Sequence, residues 1–155
     1  MKKVLAFALG CSLVVGCGGR PIQAKPVAGF VEIHDDPTYD YRAVAPEGVA
    51  VAARLVKLQD NQPTDVAFWE RAVTLRMREI EGYALLEAKD VTGGDGSRGR
   101  EIAFGHDEQG KPYLYRVRVF TSAKKLLVVE AGGTKEQMEK MSSSVDAMLG
   151  QLKVP

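Results

Sequence analysis

Apolar positions along this chain follow three different periods. An almost unbroken apolar run covers residues 4–15 and closes on Gly16 and Cys17. Further on, alternation of apolar and polar residues, rich in Val, Ile, Tyr and Phe, recurs at residues 39–45, 49–58, 83–91, 100–106, 113–121 and 126–131. A period of two predicts strands. Residues 30–34 read as a further short strand. Between the second and third of these runs, Val66, Trp69, Val73, Met77 and Ile80 recur at three- and four-residue spacing, one face of a helix. Thr64 is placed to cap it, Asp65 suits its positive end, and Gly82 stands where a helix-ending glycine belongs. Phe68 and Leu75 fall on its other side, so either a second layer covers them or they are exposed. A last apolar stripe, Met138, Met141, Val145, Met148, Leu149 and Leu152, follows the capping box Thr134-Lys135-Glu136-Gln137 and predicts a closing helix.

Turn chemistry joins these elements. Pro46-Glu47-Gly48 separates the first two strands, and Asp107-Glu108-Gln109-Gly110 links two strands as a hairpin. Pairing across that turn puts Phe104 opposite Tyr113, Ile102 opposite Tyr115 and Glu101 opposite Arg116, with aromatic pairs on one face and an opposite-charge pair on the other. The order β-β-α-β-β-β-β-α, a mostly antiparallel sheet with two amphipathic helices, is α+β. Residues 39–155 read as a single domain.

The early hairpin with Ala45-Pro46-Glu47-Gly48, the helix carrying Phe68-Trp69-Glu70, the hairpin ending in Tyr113-Leu114-Tyr115 and the closing helix together resemble the PsbP-like family of α/β/α sandwiches, which includes DcrB-like bacterial lipoproteins. The resemblance covers about residues 39–152. It implies a fold and transfers no catalytic residue, because one fold serves many roles.

The amino-terminal run has its own reading. Lys2 and Lys3, about a dozen apolar residues and a small residue before the cut make a secretory signal peptide over residues 1–16. Val14-Val15-Gly16-Cys17 resembles the lipobox of bacterial lipoproteins, which implies cleavage before Cys17 and a diacylglycerol on its sulfur. Cleavage at the competing Cys11 would leave an apolar run of only about six residues, shorter than a signal core requires. A spanning helix needs about twenty apolar residues, and Arg20 and Pro21 end the run too early. Gly18 rather than Asp after the cysteine favours the outer membrane in the enterobacterial sorting rule. Small residues and two prolines make residues 18–29 an extended tether, within a linker drawn as 17–38. That places the protein in the cell envelope, lipid-anchored and facing the periplasm.

Composition narrows the chemistry. Without Lys2 and Lys3, Lys plus Arg falls from 21 to 19 against 20 Asp plus Glu, so the processed chain is nearly neutral and carries no footprint for nucleic acid. Attachment through acyl chains, rather than a basic face, is the expectation. Cys17 is the one cysteine left after processing, so no internal disulfide forms. Gly94-Asp95-Gly96-Ser97-Arg98-Gly99 spells GxGxxG, but a strand follows where a dinucleotide site needs a helix, so a turn is expected. Ser122-Ala123-Lys124-Lys125 spells S-x-x-K without the partner motifs of penicillin-binding enzymes. His34 with Asp35, Asp36 and Asp40 lacks a second histidine or a thiol at ligand spacing, and His106 lacks a triad partner. The expectation is therefore no enzyme, no metal and no cofactor. Arg116 and Arg118, with Arg54 nearby, offer an anion or lipid-headgroup site, but cross-strand pairing with Glu101 and Glu130 is the favoured reading. The first reading of function is a non-catalytic envelope module that binds or supports an envelope protein. The second is a carrier of a small apolar ligand in a cleft lined by Trp69, Tyr113 or Tyr115.

Overall fold

A computed structural model describes residues 21–155; Cys11, Cys17 and the signal segment lie outside the described residues. The strands are β1 (Val31–Glu32), β2 (Tyr41–Val44) and β3 (Ala50–Lys57), followed by helix α1 (Val66–Glu79). Then come β4 (Ala84–Thr92), β5 (Arg98–Glu108), β6 (Lys111–Ser122), β7 (Lys125–Thr134), α2 (Lys135–Lys140) and α3 (Ser142–Gln151). All strand pairs are antiparallel, in the order β1-β2-β3-β7-β6-β5-β4. After β3 the chain must reach the far edge at β4, and α1 carries it there across one face. The β4-to-β7 meander then returns to pair β7 with β3. The result is an α+β sandwich.

Alternation sorts the strand side chains into two cores. On one face Tyr41, Ala43, Val51, Phe120, Leu127 and Val129 meet Met138, Val145, Met148 and Leu149 of α2 and α3. On the other, Ile102, Phe104, Val117, Val119 and Leu126 meet Val66, Trp69, Val73 and Met77 of α1. The three stripe methionines are packing residues, as their spacing predicts.

Several expectations need correction. The closing helix is two helices, broken at Met141, whose backbone leaves the helical region (φ −97°, ψ 13°) before the polar run Ser142-Ser143-Ser144 starts α3 without a side-chain cap. The hairpin turn is the two residues Gln109 and Gly110, both with positive φ (51° and 79°), not four. The register therefore moves by two: Phe104 faces Tyr115, Ile102 faces Val117 and Glu101 faces Arg118. A shift of two keeps every side chain on its expected face. Asp65, not Thr64, caps α1, accepting from the Ala67 amide at 3.1 Å. Ile80 is the C-cap of α1 and 75% exposed, so it drops out of the packed stripe. Phe68 and Leu75 are exposed.

The largest difference lies at residues 22–30. Ile22 is only 3% exposed inside the α2–α3 core, and Ala24, Val27 and Phe30 pack against that core. The Lys25 amide donates to Gln151 Oε1 at 2.7 Å, and Gln151 Nε2 donates back to the Lys25 carbonyl at 3.0 Å. Gly29 sits over Met141. The segment expected as tether thus runs antiparallel to α3, and β1 adds an edge strand to β2. Composition misled here: proline and alanine lower the regular structure of a segment without preventing it from burying an isoleucine.

Candidate functional site

Helix α1 contains no fully buried residue. It packs mainly over β4, β5 and β6, with Leu126 of β7 buried beside it, and its main footprint does not extend over β2 and β3 on the same face. Its apolar side chains Trp69, Val73 and Met77 therefore form the wall of an open groove, with Val117, Leu126 and Val128 as floor. The Trp69 indole is fixed by its Nε1, which donates to the Pro63 carbonyl at 2.8 Å. This part of the groove has a volume of about 420 Å³. It continues past Tyr39, Tyr83, Tyr115 and Glu130 into a second hollow of about 590 Å³ over β2, β3 and β7. Small residues give that hollow its depth. Ala50 and Ala52 line it, and at Gly132 a Cβ would stand 2.8 Å from the Tyr115 ring, so only glycine lets the tyrosine lie across β7.

Polar groups ring this apolar floor, and they are already paired. Arg54 Nη2 donates to Glu130 Oε1 at 2.8 Å, and the Arg54 guanidinium lies 5.3 Å from the centre of the Tyr39 ring. Arg42 approaches the same ring at 6.0 Å and binds Asp36. The Thr38 amide, then Arg42, holds the Asp36 carboxyl below its ordinary value. Burial, and after it the neighbouring Glu130 carboxylate, pushes the Tyr115 hydroxyl well above the usual phenol range, so it stays protonated. The groove thus combines an apolar floor with a neutral phenol and closed ion pairs at its edge, and its size is that of ordinary ligand sites.

The residues expected as binding residues divide between the two faces. Trp69, Tyr113 and Tyr115 line the groove. Arg116 and Arg118 project from the opposite face, toward α3, and Arg54 does not join them, because it sits on the groove side of β3. Glu101, 2% exposed, accepts from Arg116 at 2.9 Å and from Arg118 at 2.5 Å, while Lys89 approaches at 3.5 Å. Asp146 of α3 takes the remaining Arg116 nitrogen at 2.8 Å. Burial pushes the Glu101 carboxyl up, but the hydrogen bonds from both arginines outweigh it and leave the group below its ordinary value. This is the cross-strand pairing weighed against an anion site.

The motif fragments resolve into turns. Ser122 and Lys125 close a two-residue turn, and Lys125 Nζ donates to the Pro155 carbonyl at 2.7 Å. In residues 93–97, Gly93 pairs with Ser97, and Asp95 accepts from the Ser97 amide and hydroxyl, ahead of strand β5. His106 stacks on Tyr83 with ring centres 4.8 Å apart, and His34 lies 3.4 Å from Glu32. Among the described residues no group of three or more His, Cys, Asp or Glu is placed to hold a metal ion.

Tyr39, Arg42 and Tyr83 of the groove were not singled out in the sequence, and Glu130 was expected to pair with Arg116 or Arg118 rather than Arg54. Tyr39 and Tyr83 open runs read as strands, but each lies one or two positions before the strand itself, where alternation does not fix a face. Glu130 carried a signal, an acidic residue inside the apolar run 126–131, and the Arg54 pairing accounts for it.

A seven-stranded antiparallel sheet with α1 on one face and α2–α3 on the other defines the PsbP-like class of fold. No protein-family profile and no curated protein matches the sequence. Solved structures do match. LpqN of Mycobacterium tuberculosis, described as involved in cell envelope biogenesis, is 14% identical over 86% of this chain and 83% of its own, with a TM-score of 0.67. Cyanobacterial PsbP (CyanoP) from Synechocystis sp. PCC 6803 is 13% identical over 90% and 96%, with a TM-score of 0.57. PA94 from Pseudomonas aeruginosa, a protein of unknown function, is 11% identical over 86% of each chain, with a TM-score of 0.53. At these identities the likeness is one of fold. Among the described residues no helix is long and apolar enough to cross a membrane.

Proposed function

We propose that the protein is a non-catalytic binding module of the cell envelope, held at the outer membrane by a lipidated Cys17 and engaging an envelope protein through the groove beside α1. The observation that carries this reading is the half-buried side of α1: Trp69, Val73 and Met77 edge a groove over Val128 and the buried Val117 and Leu126, inside a ring of closed ion pairs. A helix face left unfilled by its own domain suits a partner segment. The envelope role described for LpqN, whose fold is similar, agrees with the address implied by the lipobox. A carrier of an apolar ligand is the second reading, favoured by the apolar floor of the narrower half.

The test is a photo-crosslinking amino acid placed at Met77 in the groove and, as control, at Leu75 on the outer side of α1. In intact cells the Met77 probe should yield one discrete protein adduct and the Leu75 probe none. A small lipid adduct at Met77 would favour the carrier. Equal labelling at both positions would refute the groove as the site.

A further inference from the structure

The packing of residues 22–30 shortens the link to the membrane. Gly18, Gly19, Arg20 and Pro21 separate Cys17 from Ile22, the first residue packed in the core. At 3.3–3.6 Å per residue, five steps reach about 18 Å at most. The point of departure is also defined. The segment runs antiparallel to α3, from Gly29 at Met141 to Lys25 at Gln151, so Pro21 leaves beside the carboxyl-terminal end of α3. That end of the molecule is basic. Lys125 is bonded to the Pro155 carbonyl, Lys57 and Lys124 line the same shallow hollow, and Lys153 follows α3 directly. Asp60 answers Lys124, and Asp95 lies near Lys153. Arg98 and Lys25 add to the same end. At the opposite end exposed Glu47, Asp107 and Glu108 stand with Lys111 and Lys135, so the lysine-rich end has no counterpart there.

We infer that the end bearing Lys57, Lys124, Lys125 and Lys153 docks on the anionic phospholipid headgroups of the leaflet that takes the Cys17 acyl chains, and so fixes the orientation of the domain. The inference rests on the lipid anchor of the proposed function. A link of at most about 18 Å keeps these lysines close to the surface, where a Debye length of about 8 Å lets them feel its potential. The attraction of a lysine to an anionic leaflet acts over that same range. Acyl chains supply attachment and the lysines supply direction.

The test uses the full lipidated chain purified from membranes, whose processed form leaves no free thiol. A single fluorophore is introduced through Ala123→Cys at the basic end or Asp107→Cys at the far end. Each is reconstituted into vesicles of phosphatidylglycerol with phosphatidylcholine, or of phosphatidylcholine alone, containing a headgroup-attached quencher. In the anionic vesicles the Ala123 probe should be quenched several-fold more than the Asp107 probe. The contrast should vanish in phosphatidylcholine, in about 0.5 M salt, where the Debye length is only a few Å, and in the variant Lys57→Gln/Lys124→Gln/Lys125→Gln. Equal quenching of both probes in anionic vesicles, or a contrast that survives salt and the triple variant, overturns the inference. Flotation of the vesicles reports the anchor separately. A chain that fails to float refutes the anchor and this inference together, whereas a chain that floats with equal quenching refutes the orientation alone.

Discussion

Replacing Ile22 by Ala probes whether the segment before β1 belongs to the folded domain. The side chain is 3% exposed within the core cluster that the sheet shares with α2 and α3, so truncation removes three buried carbons from a packed site. Isoleucine-to-alanine changes in cores cost about 2–5 kcal/mol, the spread reflecting how far the site can collapse. Ile22 lies near the start of the packed segment and is anchored on one side by the Lys25–Gln151 pair, so partial collapse is available and about 2–3 kcal/mol is expected. For a domain of this size 1 kcal/mol shifts Tm by roughly 3–5 °C, which gives a fall on the order of 10 °C. The measurement is urea unfolding of the processed chain carrying Cys17→Ser, followed by Trp69 fluorescence and circular dichroism with the m-value held constant. Val31→Ala, at a position 61% exposed, is the control and should change stability by less than about 0.5 kcal/mol. A loss below about 1 kcal/mol at Ile22 would mean that residues 22–30 do not pack, and the short membrane link would fall with it.

Glu101→Gln should cost about 3 kcal/mol, because it leaves Arg116 and Arg118 partly buried without their counter-charge. The pH dependence follows from the same carboxylate. Its folded pKa lies below the unfolded value of about 4.3, so the stabilisation is complete above about pH 5 and is lost as pH falls through the folded pKa. Acid unfolding of the Gln variant should be flatter than that of the natural chain over that range, and parallel curves would contradict the assignment. Gly132→Ala should cost roughly 1–3 kcal/mol in thermal unfolding, since its Cβ would meet the Tyr115 ring at 2.8 Å and drive it into the groove. Cys17→Ser should block lipidation and signal removal, read by intact mass of the membrane fraction; normal processing of that variant would end the lipoprotein reading.

Much of the fold was legible because strand and helix periods are local. Alternation at residues 100–106 and 113–121 assigned Ile102, Phe104, Tyr113 and Tyr115 to one face even though the turn was misplaced, since a shift of two preserves facing. Residues 22–30 were illegible for the opposite reason: one buried isoleucine in a segment without period leaves no repeating signal, and only tertiary packing against α3 reveals it. The break at Met141 was hidden because the apolar stripe passes through it uninterrupted. At the site, Trp69 and Tyr115 were visible as large aromatics on apolar faces, yet the groove itself comes from what α1 leaves uncovered, which depends on the crossing of the sheet and not on any residue of the helix. Arg116 and Arg118 suggested a site because sequence shows two charges on one strand but not the buried Glu101 between them.

The most direct test of the account is complementation in the native host, scored as envelope integrity against a deletion strain. Val73→Gln with Met77→Gln alters the groove wall, while His34→Gln with His106→Gln and Ser122→Ala with Lys125→Ala remove the groups that any hydrolytic reading would require. With protein level and Tm matched, the groove variant should reproduce the deletion and the other two should restore growth fully. A general-base histidine is worth about 10²–10⁴-fold in rate, so its loss would not pass unnoticed. Full complementation by the groove variant, with failure of the histidine or Ser122 and Lys125 variants, would contradict a non-catalytic binding module.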